Sequence, residues 1–291
     1  MVAGEQLIST TPVGESSSAG GHWLATARRW NQIGPPLRPS PEDIGFYSAA
    51  IDRWVLANRS LRALILGVTP ELYRLSWPNG TNLLAVDRTR GMIDAIWPGP
   101  RNSVLCADWT AMPLPARSRD IALCDAGLIL VSFPHGLIKI VRILQRVLTS
   151  GGLFITRLFL PPAQHESPGV VLSDLLAGSI ANLNILKMRL GMALQENSED
   201  GVQLGHIWDV LHRAAPNLPR LAERIGWSLE TLSAIDVYRN CSSVYHFSSF
   251  TEIRQLFCDE PGGFTCESID VPGYPLGERC PTVVFRREAK S

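Results

Sequence analysis

The order of apolar and polar positions changes period along the chain. Between Ser40 and Val55 the apolar residues Ile44, Tyr47, Ile51, Trp54 and Val55 recur at helical spacing. This predicts a helix, opened by Ser40 or Pro41, with one face against something larger. From Leu61 the pattern shortens. Ala63-Leu64-Ile65-Leu66 is a brief apolar run stopped by Gly67, and Thr69-Pro70-Glu71 then supplies an N-cap, a first-position proline and a first-turn acid. The strand-then-helix pattern recurs. The run 82–86 ends at Asp87 and precedes a helix over 90–96; 103–107 ends at Asp108; 120–124 ends at Asp125. A helix over 137–148, with Leu137, Val141, Leu144 and Leu148 on one face, stops at Gly151-Gly152, and 153–160 is a fifth strand. Strands alternating with helices predict a parallel sheet with right-handed crossovers. Their unbroken apolarity is what burial on both faces requires.

Pro161-Pro162 ends this alternation. Residues 172–226 are helical, with one stripe at Leu183, Leu186, Leu190 and Leu194 and another at Leu204, Ile207, Trp208 and Leu211. A further helix runs from Ser228 towards Tyr238, and Ser249-Phe-Thr-Glu252 is a capping box for the last one. Strands over 264–271 and 282–286 follow, and such a late pair predicts an antiparallel hairpin at the sheet edge. The expected class is therefore α/β: a mostly parallel seven-stranded sheet with an antiparallel C-terminal hairpin. Five parts are expected: a Ser/Thr/Gly-rich disordered tail (1–21), an N-terminal helical extension (22–59), an α/β core (60–160), a helical insertion (161–240), and a final helix with the hairpin (241–291). Prolines 35, 36 and 39 fix an extended path within the extension.

Composition narrows the function. The chain has 291 residues, 45% apolar and 19% charged, enough for a sizeable core. Its 27 Lys+Arg balance 27 Asp+Glu, which removes the broad basic footprint of a sequence-independent nucleic-acid binder. No apolar run approaches the roughly 18 residues of a membrane span, and the first 21 residues lack the basic-then-apolar order of a secretory signal. The six cysteines (106, 124, 241, 258, 266, 280) form no CxxC pair and no metal-like spacing. With Cys106 and Cys124 inside apolar stretches, they read as buried reduced thiols of a cytoplasmic protein. No metal site is expected.

In an open parallel sheet, ligands bind at the carboxyl ends of the strands. Here those ends carry Gly67, Asp87, Asp108 and Asp125, with 20 residues from Gly67 to Asp87 and 21 from Asp87 to Asp108. Each interval is one strand–helix unit, so the groups line up along one rim. An acid after the second strand suits the two hydroxyls of a ribose. An acid after the third suits the exocyclic amine of adenine, with Trp109 covering the ring. Any one of these acids, taken alone, reads equally well as a helix cap or a water contact.

These stretches resemble the class I S-adenosylmethionine-dependent methyltransferases. The matching segments are Leu-Arg-Ala-Leu-Ile-Leu-Gly (61–67), Leu-Leu-Ala-Val-Asp (83–87), Val-Leu-Cys-Ala-Asp-Trp (104–109), Asp-Ile-Ala-Leu-Cys-Asp (120–125) and Arg-Val-Leu-Thr-Ser-Gly-Gly-Leu-Phe (146–154). Segments 34–44 and 92–99 look like those of a small, poorly characterised subgroup. The resemblance implies a Rossmann-like fold and S-adenosylmethionine as cofactor. It places Gly67, with Val68 and Thr69, beneath the methionine part, Asp87 and Arg88 at the ribose, and Asp108 and Trp109 at adenine. The chain departs from the family pattern in having Ile65 where an acid normally precedes the first glycine, and in having a single glycine there. Backbone N–H groups of a helix start still suit the cofactor carboxylate. The amino group then falls to Tyr47, to carbonyls near Gly67, or to Asp125.

Methyl transfer needs alignment above all, and a base only where the acceptor is a hydroxyl or a protonated amine. His135, in the loop Ser-Phe-Pro-His-Gly after the fourth strand, is the candidate base; its structural alternative is a cap for the next helix. Histidines 22, 165, 206, 212 and 246 have weaker placement. The fourth strand lacks the Asn/Asp-Pro-Pro-aromatic signature that resembles amide or adenine N-methylation. Trp97, Trp109, Tyr47 and Phe133 are the expected acceptor wall, and the helical insertion is the expected lid. The function expected is methylation of a small molecule, with no nucleic-acid or membrane partner. The alternative is a catalytically inactive S-adenosylmethionine-binding sensor or partner subunit. A nicotinamide-dependent oxidoreductase fits poorly, because Gly-Val-Thr-Pro-Glu-Leu stands where GxGxxG is needed.

Overall fold

The computed structural model describes residues 21–55, 61–259 and 261–289. The expected N-terminal tail lies outside the described residues, apart from Gly21, which opens α1 (Gly21–Arg28). Helix α2 (Pro41–Trp54) begins at a capping box: the Ser40 hydroxyl accepts from the Asp43 amide at 3.1 Å, and the Asp43 carboxylate accepts from the Ser40 amide at 2.7 Å.

Strands β1 (Arg62–Leu66), β2 (Asn82–Asp87), β3 (Val104–Cys106), β4 (Arg119–Asp125) and β5 (Leu148–Arg157) are all parallel. Between them lie α3 (Pro70–Tyr73), α4 (Arg90–Ile96) and α5 (His135–Val147). The insertion holds α6 (Pro168–Leu176), α7 (Leu183–Leu194), α8 (Leu204–Ala214), α9 (Leu218–Ile225) and α10 (Leu229–Ser233). A two-residue pair, β6 (Val202–Gln203) with β7 (Val244–Tyr245), fastens it. Helix α11 (Phe250–Arg254) and strands β8 (Phe264–Asp270) and β9 (Thr282–Arg287) complete the chain.

The main sheet runs β3-β2-β1-β4-β5-β9-β8. The C-terminal strands do pair antiparallel, but β9 inserts between β5 and β8 and is antiparallel to both. The edge thus falls to β8, whose residues alternate between buried and wet. The period of two divides each inner strand between two cores. Leu64, Leu66, Ala122, Cys124 and Phe154 pack under α5 and α11, while Ile65, Ala85, Ile121, Leu123 and Ile155 pack under α2 and α4. The insertion has its own core, built on the predicted stripes: Leu183, Leu186, Leu190, Leu204, Ile207 and Leu211 are all buried. The six cysteines are free; Cys106 is exposed, contrary to expectation, because β3 is an edge strand. Among the described residues no helix is long and apolar enough to cross a membrane.

One charged side chain sits deep in this apolar frame. Arg157, the last residue of β5, is 0% exposed. Its guanidinium grips Asp125 with two bonds, Nε to Oδ1 at 2.7 Å and Nη2 to Oδ2 at 3.2 Å. It also donates to the Pro36 carbonyl at 2.6 Å and to the Tyr274 hydroxyl at 3.1 Å, and lies 3.8 Å from Asp43. The guanidinium stacks over Phe159 at 5.1 Å. Burial pulls the Arg157 pKa down, but the Asp125 charge and hydrogen bonds more than offset this and hold it well above the ordinary range. Removing one partner of a buried ion pair leaves the other charge stranded. Arg157→Met is therefore expected to lower the unfolding free energy by about 3–5 kcal/mol in urea titration; a loss below about 1 kcal/mol would show that the network is not holding the fold together.

Candidate functional site

A cavity of about 660 Å³ opens at the carboxyl edge of the sheet, within the size range of small-molecule sites. Of the ten residues given a cofactor or catalytic role from the sequence, nine line it: Gly67, Val68 and Thr69 after β1, Asp87 and Arg88 at β2, Asp108 and Trp109 after β3, Asp125 at β4, and His135 at the start of α5. The tenth, Tyr47, does not. It is 0% exposed. Its hydroxyl donates to the Cys124 carbonyl and accepts from the Arg157 amide, each at 2.9 Å, so it clamps β4 to β5 away from the cavity lining. Burial, the largest cause, raises its pKa well above the ordinary range.

The three aspartates face the same cavity but are not equivalent. Asp125 is bound by Arg157 through both carboxylate oxygens, which answers a buried charge rather than a ligand amine. Asp87 is half-buried and accepts from the Thr89 amide at 2.7 Å. Burial raises its pKa, against the hydrogen bonds from Thr89. Asp108 is exposed and accepts from the Thr110 amide at 2.7 Å and the Thr110 hydroxyl at 2.6 Å. Its partial burial raises the pKa, but those two bonds outweigh it and keep the carboxyl below the usual range.

Trp109 reaches further than its place after β3 suggests. Its indole N–H donates to the Val86 carbonyl at 2.6 Å, drawing the ring across the strand tips. A Cβ on Gly67 would lie 3.7 Å from Cζ2 of that ring, and Gly67 has φ +101°, which only glycine adopts freely. A Cβ on Gly127 would lie 2.8 Å from both Cη2 of Trp109 and Sγ of Cys124. Gly127 thus makes room for the indole floor, while Gly67 is required by its backbone angle rather than by space. Thr69 occupies the N-cap position of α3, with Pro70 and Glu71 in the first turn as expected, but its side chain makes no capping hydrogen bond in this four-residue helix. His135 does not cap α5 either; Pro134 holds that position, and His135 is exposed at the cavity.

The facing wall comes from two parts. Trp23, Arg29, Trp30 and Ile33 belong to the N-terminal extension; Leu183, Lys187, Tyr238 and Tyr245 belong to the insertion and its flank. Of the aromatic wall expected from sequence, only Trp109 is present. Trp97 packs edge-on against Tyr73 at 4.9 Å, and Phe133 packs with the α5 core. Lys187 and Trp30 carry no functional signal in the sequence: Lys187 sits within a leucine stripe that reads as ordinary helix packing, and Trp30 ends a short basic stretch. Among the described residues no group of three or more His, Cys, Asp or Glu is placed to hold a metal ion.

No protein-family model matches the chain, and no curated protein does. Solved structures do. A proposed zinc-dependent alcohol dehydrogenase from Rhodobacter sphaeroides has a TM-score of 0.53 at 17% identity, covering 91% of this chain and 98% of that one. The proposed methyltransferase in complex with the Haloferax volcanii Trm112 methyltransferase activator has a TM-score of 0.50 at 13% identity, covering 94% and 100%. The CurJ carbon methyltransferase has a TM-score of 0.50 at 11% identity, covering 91% of this chain and 58% of that one. Such identities speak to fold. With its strand order and its one reversed strand, the chain has a Rossmann-like α/β fold, which it shares with these structures.

Proposed function

We propose that the protein is an S-adenosylmethionine-dependent methyltransferase acting on a small molecule. The observation that carries this reading is the convergence of Asp87, Asp108 and the Gly67 turn on one cavity of about 660 Å³ at the carboxyl edge of the sheet. The residues suit the adenosine part of the cofactor. Asp87, partly desolvated, accepts from ribose hydroxyls, with Arg88 beside it. Asp108, held ionised by Thr110, accepts from the adenine amine. Gly67, Val68 and Thr69 bring backbone close to the methionine part. When bound, the cofactor supplies an electrophilic methyl group on a sulfonium.

The chain's own contribution is then placement and enclosure. The insertion and the N-terminal extension form the wall opposite the strand tips, and act as a lid that excludes water from the acceptor. His135, exposed to the cavity, takes the proton from a hydroxyl or ammonium acceptor. A cofactor-binding protein without catalysis is the second reading. It draws on Asp125, the candidate for the cofactor amino group, which is already committed to Arg157.

Asp87→Ala is expected to weaken S-adenosylmethionine binding by about 1–3 kcal/mol in isothermal titration, since ligand hydroxyls lose a buried acceptor. Unchanged affinity would remove Asp87 from the site, and an absence of binding by the unaltered protein would remove both readings. Transfer of labelled methyl into a small-molecule extract separates them: incorporation favours the enzyme, and binding without incorporation favours the sensor. With an acceptor in hand, His135→Ala is expected to lower kcat by roughly 10²-fold or more; full turnover would assign His135 no proton-transfer role.

A further inference from the structure

The wall of the cavity opposite the strand tips carries a positive charge that the proposed reaction leaves unused. Lys187 lies on α7, a helix with most of its residues buried, and is itself only 8% exposed. Its ammonium donates to the Ala234 carbonyl at 3.2 Å and sits 4.8 Å from the centre of the Tyr238 ring. Both Ala234 and Tyr238 line the cavity, so the charged end of Lys187 is at the cavity surface. Among the described residues no carboxylate pairs with it. Arg29, another lining residue, adds a second positive charge nearby. Burial, and then Arg29, hold the Lys187 ammonium down to about 8.

A buried charge normally has a counter-charge, because a carbonyl and a ring replace only part of its lost hydration. Here none of the described residues provides one. Around Lys187 the cavity surface is apolar or aromatic, with Phe159, Leu183, Val237 and Tyr245.

We propose that the methyl acceptor is an organic carboxylate with an apolar, ring-bearing body, whose charge pairs with Lys187. The identification of this anion as the acceptor rests on the methyltransferase reading; the anion site itself does not. The acids that suit adenosine lie at the β2 and β3 tips, and the lysine lies across the cavity on α7; Glu230, four residues before Ala234, also lines the cavity, and its carboxylate accepts from the Gln32 side chain at 3.0 Å. The same arrangement explains why the chain tolerates an unpaired buried cation: the ligand completes it.

The test uses the full chain, with 1-naphthoate as probe and 1-naphthamide as its uncharged counterpart, in thermal unfolding. Lys187→Gln keeps a donor for the Ala234 carbonyl and removes the charge. The expected result has four parts. Naphthoate raises the Tm of the unaltered protein in a concentration-dependent way; naphthamide does not; Lys187→Gln loses at least tenfold in apparent naphthoate affinity; and unliganded Lys187→Gln melts higher than the unaltered protein. The proposal is overturned if naphthoate fails to raise Tm, if the amide matches it, or if Lys187→Gln responds as the unaltered protein does. Should the Gln variant not fold, Lys187→Met carries the same comparison. Titration with S-adenosylhomocysteine in parallel keeps the two ideas apart. Loss of that binding in the unaltered protein sinks the methyltransferase reading, while the naphthoate arm alone decides the anion site.

Discussion

A guanidinium with no access to water has to be neutralised by the fold itself, and much of this molecule is arranged around doing so for Arg157. Its partners come from three stretches far apart in sequence: the Pro36 carbonyl and Asp43 in the N-terminal extension, Asp125 at the end of β4, and Tyr274 in the loop before β9. The charge is therefore satisfied only when the N-terminal extension, the sheet and the C-terminal loop have all reached their final places. Buried pairs of this kind add little net stability over apolar replacements, but a half-made one is heavily penalised. The network thus favours one assembled state over looser alternatives.

The same demand shapes the site. Because Asp125 answers Arg157, the acid at the fourth strand is a wall of the cavity rather than a free acceptor, and Asp87 and Asp108 are the strand-tip acids left without a cationic side-chain bond. Tyr47 is drawn into the same clamp between β4 and β5. The cavity that remains has carboxylates along the tips of β2 and β3, over an indole floor, and an ammonium on the facing helix, with Glu230 also on its lining.

Much of this arrangement was legible in the residue pattern. The unbroken apolar runs of β1, β4 and β5 and the acids that end β2 and β4 follow from a sheet covered on both faces. The leucine stripes of the insertion follow from helix packing. What was not legible depended on contacts between distant segments. Arg157 stands alone in an apolar run, Phe-Ile-Thr-Arg-Leu-Phe-Leu, and a solitary charge there is itself a signal that acids must come to it. Which acids they are, Asp43 and Asp125, is settled only by tertiary structure. The reach of Trp109 was hidden for a similar reason, since it depends on Gly127, eighteen positions later. Position in the sheet defeated the reading of Cys106: an apolar neighbourhood means burial only for strands with neighbours on both sides.

The placement of β9 has a consequence for how the molecule is made. This strand fills a slot between β5 and β8, so a chain emerging from the ribosome presents β5 with an open edge, along residues as apolar as Leu153, Phe154 and Ile155, until residues 282–287 arrive. Vectorial synthesis thus leaves an adhesive seam exposed through translation of the whole helical insertion, the period in which self-association or chaperone capture competes with closure.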